Sequence, residues 1–135
     1  MILLDTSLLS LAFRRRKTAT RPLRAVSELE RLIREDMPVR VPGIVLQEIL
    51  SGVRDELQFK RLRGLMEGFA VLAATAADHV EAARIANACR RTGVLVSAID
   101  CLIAAQSLHA NARLFAEDRD FEHMQSVCGL HLYAW

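Results

Sequence analysis

Short, mainly apolar runs alternate along this chain with segments whose apolar residues recur every three or four positions. Residues 1–5 (MILLD), 37–43 (MPVRVPG, stopping at Pro42), 69–73 (FAVLA), 112–116 (ARLFA) and 130–134 (LHLYA) have the length and continuity of short buried strands. Between them the helical period takes over. Residues 6–13 predict a short helix started by Thr6 or Ser7. Pro22 suits the first position of a helix that carries Val26, Leu29 and Ile33 as its stripe to about residue 36. IVLQEILSGV (44–53) is apolar nearly all round and predicts a buried helix. Residues 55–67, with Leu57, Leu62 and Leu65, predict an amphipathic one. Thr75 and Asp78 have capping-box spacing and open a long helix to about Arg91, ended by Gly93. Ser97 and Asp100 repeat that spacing before a second buried helix to about Ala110, and a short helix is expected near 119–126.

Strands that alternate with helices imply an α/β fold with a mainly parallel sheet covered on both faces. The 135 residues, 52% of them apolar, suit a single domain with a proper core. No segment approaches the roughly 18 uninterrupted apolar residues of a membrane span. Asp5 interrupts the first apolar run and no basic segment precedes it, so no signal peptide is expected and the expected location is the cytoplasm. Cys89, Cys101 and Cys128 are odd in number and widely spaced, and the four histidines lack metal-ligand spacing, which argues against a disulfide framework or thiolate zinc site.

The net charge of +2 hides an asymmetry. RRRKTATRPLR (14–24) holds six of the 18 basic residues and no acid, so the remaining 12 basic residues face 16 acidic ones. The strip could track an RNA backbone through Arg14, Arg15, Arg16, Lys17 and Arg21, bind the acids of a protein partner, or form a solvated loop. No aromatic residue interleaves it, so base stacking is not indicated there.

Four acids interrupt apolar sequence. Asp5 ends the first strand, Glu48 is the only charge in IVLQEILSGV, Asp100 is the only charge in VLVSAIDCLIAA, and Asp118 follows strand ARLFA within EDRD. Burying an ionised carboxylate costs several kcal/mol unless something compensates it, and the apolar runs around Asp5, Glu48 and Asp100 contain no Lys or Arg. Ligands of parallel sheets bind outside the strand carboxyl ends, where all four acids can converge. Hard divalent cations such as Mg²⁺ or Mn²⁺ would relieve their repulsion and could serve phosphodiester hydrolysis. Each acid also has a plainer role: Asp5 as a helix cap, Asp100 as a capping-box acid, Asp118 as a turn residue, Glu48 as an exposed side chain.

MILLDTSLL, VLQEILSGV, VSAIDCLIAA and LFAEDRDF, in this order and spacing, resemble the four acidic motifs of PIN-domain ribonucleases, specifically the VapC toxins of VapBC toxin–antitoxin pairs. The resemblance covers nearly the whole chain. It implies a three-layer α/β/α sandwich around a mainly parallel sheet of four to five strands, and Mg²⁺- or Mn²⁺-dependent endoribonuclease activity leaving 5′-phosphate and 3′-hydroxyl ends. It further implies a homodimer and a VapB-like antitoxin that blocks the site. Asp5, Glu48, Asp100 and Asp118 become metal ligands on this reading. Thr6, Ser97 and Asp120 become supporting groups. One position departs from the pattern: where the family often carries Thr or Ser two residues before the fourth acid, this chain has Ala116. A degenerate PIN domain that binds RNA or protein without cutting is the alternative.

Overall fold

The first strand, β1 (Ile2–Leu4), is buried at every position. A short strand with no exposed side chain must have protein on both faces, and the remaining elements supply it. The computed structural model describes residues 1–13 and 20–135, with backbone alone for residues 20–23. After β1 come α1 (Thr6–Phe13), α2 (Thr20–Arg34), β2 (Val39–Pro42), α3 (Gly43–Leu50) and α4 (Glu56–Met66). Then follow β3 (Ala70–Leu72), α5 (Ala76–Arg91), α6 (Ala98–His109), β4 (Arg113–Phe115) and α7 (Asp120–Cys128). The strands form one parallel sheet in the order β3-β2-β1-β4. The helices fall into two packed groups: α1 against α2 and α3 with α4 beside α3, and α5 against α6 and α7. The fold is the α/β sandwich expected. Among the described residues no helix is long and apolar enough to cross a membrane.

This strand order positions the site. From β1 the chain builds outward through β2 and β3, then returns to the other side of β1 with β4. The crevice between β1 and β4 is therefore a topological switch point, where open parallel sheets bind their ligands. Leu4 pairs with Phe115, so Asp5 and the residues after Phe115 leave the sheet side by side. The Asp5 N–H donates to the Phe115 carbonyl at 3.0 Å and extends the pairing into the site.

Several local expectations need correction. Residues 130–134 do not form a full strand. They contribute one parallel bridge, Leu114 with Leu132, and the pairing stops where the rings of Tyr133 and Trp135 pack edge-on against Phe115 at 5.1 and 5.7 Å. In α2 the buried stripe is Ala25, Val26, Leu29 and Leu32, whereas Ile33 lies one helical step off it and is 48% exposed. In α4 the buried pair is Leu62 and Met66, and Leu57 is 78% exposed. The Thr75–Asp78 capping box is present in both directions, and Gly93 follows the last turn of α5 with φ +75°. The three cysteines are free, Cys89 and Cys101 buried and Cys128 half-buried.

Candidate active site

Asp5 is the residue on which the site is built. It is 4% exposed and caps α1: its carbonyl accepts from the Leu9 N–H at 3.2 Å, and its Oδ2 accepts from the Ser7 N–H at 3.1 Å. Ser7 adds a second bond to that oxygen, its hydroxyl donating at 2.7 Å. Thr6, between them, turns to α3 and donates from Oγ1 to Glu48 Oε1 at 2.7 Å. Two consecutive residues, Thr6 and Ser7, thus hold two of the predicted acids.

Asp100 enters from the first turn of α6. The Ser97 hydroxyl caps that helix by accepting from the Asp100 N–H at 3.0 Å. Asp118 stands in the turn after β4, where its Oδ1 accepts from the Asp120 N–H at 2.9 Å. The carboxylates of Asp100, Asp118 and Asp120 each offer an oxygen within 4.8 Å of the other two. Asp120, expected only as a supporting group, is a full member of this cluster.

Electrostatics joins the two halves. Burial pushes the Asp5 carboxyl above its ordinary range, the hydrogen bonds from Ser7 and Thr6 oppose that, and the charge of Glu48 adds to it. Asp100 is pushed up to about 6, first by burial, then by Asp5, with Asp118 and Asp120 adding smaller amounts and the Ser97 hydroxyl pulling the other way. Glu48, Asp5, Asp100, Asp118 and Asp120 therefore form one chain of mutually repelling carboxylates. Among the described residues none of the five is ion-paired to Lys or Arg. Their donors are all hard oxygens, with no thiolate or imidazole in the cluster. That donor set fits Mg²⁺ or Mn²⁺ and does not suit a soft metal.

The PIN domain family matches residues 2–127. VapC ribonuclease Mb1587 of Mycobacterium bovis and ribonuclease VapC11 of Mycobacterium tuberculosis are each 37% identical over 133 residues, covering 96% of both chains. This chain belongs to the VapC family of PIN-domain ribonucleases. The solved structure of VapBC2 from Rickettsia felis, bound to a DNA fragment from their promoter, shares the fold with a TM-score of 0.79. It is 20% identical and covers 100% of this chain and 99% of that chain.

Seen as a VapC fold, the site draws on the end of β1, the second turn of α3, the start of α6 and the turn after β4. Each of the four predicted acids occupies one of these places. Thr6 and Ser97 make the supporting hydrogen bonds given above. The basic candidates Arg14, Arg15, Arg16 and Lys17 lie outside the described residues, as does the side chain of Arg21. His123 is exposed on α7, and Phe121, fully buried, anchors the start of that helix. Sequence reasoning missed Ser7 as a site residue and took it only as a helix starter. The available signal was Asp-x-Ser directly after a strand, a spacing that lets the serine reach back to the carboxylate.

Proposed function

We propose that this chain is a Mg²⁺- or Mn²⁺-dependent endoribonuclease, the toxin of a toxin–antitoxin pair, held inactive by a VapB-like antitoxin. It acts in the cytoplasm as one PIN-like unit over residues 1–135 and pairs as a homodimer. The observation that carries this reading is the convergence of Asp5, Glu48, Asp100, Asp118 and Asp120 from separate segments at the carboxyl edge of the sheet. A retired site has no physical reason to keep five like charges together. The VapC ribonucleases at 37% identity support the reaction class, and the antitoxin-bound neighbours support the partner.

Asp100, Asp118 and Asp120 would hold the cation, with Asp5 and Glu48 completing the oxygen donors. A divalent ion bound there supplies positive charge against the phosphodiester and against charge that develops as it breaks. The chain's own residues do the rest. Thr6 fixes Glu48, Ser97 fixes the start of α6 that carries Asp100, and the Asp118 Oδ1 bond to the Asp120 N–H shapes the last turn. The reaction is hydrolysis: water oxygen bonds to phosphorus, the bond to the 3′ oxygen breaks, and that oxygen takes a proton. The products carry 5′-phosphate and 3′-hydroxyl ends. Arg14, Arg15, Arg16, Lys17 and Arg21 are the proposed partners of RNA phosphates.

Purified, antitoxin-free protein incubated with total RNA tests the reading. Discrete fragments in Mg²⁺ or Mn²⁺, absent in EDTA and in both Asp5→Ala and Glu48→Ala, are expected. A folded wild type that binds metal yet leaves every RNA class intact would favour the non-cleaving binding module.

A further inference from the structure

Ser7 is the side chain through which two of the acidic segments touch. Its hydroxyl donates to Asp5 Oδ2 at 2.7 Å and accepts from the Glu117 N–H at 2.9 Å, a contact between residues 110 apart in sequence. Its own N–H donates to the same Asp5 oxygen at 3.1 Å. One hydroxyl thus links the carboxylate after β1 to the backbone of the turn that carries Asp118 and Asp120. Ala116 gives that turn no hydroxyl of its own. Helix initiation does not require the Glu117 bond, because Asp5 already caps α1 and a cap is satisfied within the first turn.

The geometry points to Ser7 as a positioning residue that sets Asp5 against the Asp100, Asp118 and Asp120 cluster and thereby governs the site's affinity for divalent cations. This rests on the metal-dependent nuclease reading above. A serine hydroxyl has one proton and free lone pairs. With the Glu117 N–H on the acceptor side, the proton is directed at the carboxylate, and the carboxylate is held in one orientation. Partners of this kind, one bond out from the ligands, typically change metal affinity or activity about 10- to 100-fold when removed. The main-chain bond from the Asp5 N–H to the Phe115 carbonyl does not depend on Ser7. Removing the hydroxyl therefore loosens the acids while the sheet stays paired.

The test compares wild type with Ser7→Ala, Ser7→Cys and Ser7→Thr. Mn²⁺ affinity is measured by calorimetry, RNA cleavage by steady-state kinetics, and exchange of the Glu117 amide by NMR. In Ser7→Ala, Mn²⁺ affinity is expected to fall about 10- to 100-fold, kcat to fall with KM for RNA little changed, and the Glu117 amide to exchange faster. Ser7→Cys, similar in size but weak as donor and acceptor, behaves alike and replaces the alanine variant if that one fails to fold. Ser7→Thr keeps the hydroxyl and restores affinity, kcat and protection. Wild-type affinity and kcat in a folded Ser7→Ala or Ser7→Cys would overturn the inference, as would Ser7→Thr as impaired as alanine. A wild type that neither binds Mn²⁺ nor cuts RNA would instead defeat the nuclease reading, and this inference with it.

Discussion

Thr6 Oγ1 stands 2.7 Å from Glu48 Oε1, joining residues 42 apart in sequence. The bond ties the first turn of α1 to the second turn of α3 and fixes Glu48 beside Asp5. A hydrogen bond to a charged group is worth about 1.5–3 kcal/mol when removed. Thr6→Val keeps the shape and loses the donor. It should destabilise the protein by that order in urea titrations and lower RNA cleavage by at least about tenfold. Thr6→Ser should restore both. Equal activity in Thr6→Val and wild type would remove Thr6 from the site.

The C-terminal segment carries an acid-sensitive contact remote from the acids. Tyr133 donates to Glu28 Oε1 at 2.6 Å, and Arg31 grips both oxygens of that carboxylate at 2.7 and 3.0 Å. Arg31 first and Tyr133 second hold the Glu28 carboxyl down at about 2, against 4.5 when free. The folded value lies below the unfolded one, so the contribution is complete above about 4.5 and is lost as pH falls toward 2. Glu28→Gln should lower Tm at pH 7, where the contribution is complete, and flatten its fall between about pH 4.5 and pH 2, so that variant and wild type converge in acid. An acid limb as steep as wild type's would show that the contact does not titrate as described.

Phe121 is fully buried directly behind the acidic turn, whereas Leu57 is 78% exposed on α4. Phe121→Ala should cost about 3–5 kcal/mol through the cavity it leaves. Leu57→Ala should stay within about 0.5 kcal/mol. Chemical denaturation of both variants checks the contrast, and comparable losses would contradict the core assignment.

Much of this architecture is legible in the sequence. Strand runs and capping-box spacings mark most elements because both depend on near neighbours. Three acids, Asp5, Glu48 and Asp100, interrupt apolar runs with no basic residue beside them and mark an uncompensated charge problem by their positions alone; Asp118 is marked by its place directly after a strand. What sequence reading misses is set by distance or by small rotations. Periodicity indicates a helix face but does not separate Leu32 from its neighbour Ile33, which a single step of about 100° turns toward solvent. The run LHLYA has strand composition, yet the rings of Tyr133 and of Trp135 just after the run pack on Phe115, and its pairing stops at one bridge. Asp120 joins the cluster because of how the turn after β4 folds. The bond from the Glu117 N–H to Ser7 bridges 110 residues, and such a contact leaves no local pattern.

The central claim is that these carboxylates form one divalent-cation site. Titration of Mn²⁺ into the metal-free protein at neutral pH, followed by calorimetry for wild type, Asp100→Asn and the double variant Asp118→Asn/Asp120→Asn, tests it most directly. Saturable binding by wild type is predicted, weakened at least about tenfold by Asp100→Asn and abolished in the double variant. Folded protein that takes up no Mn²⁺, or variants that bind it as wild type does, would contradict the claim.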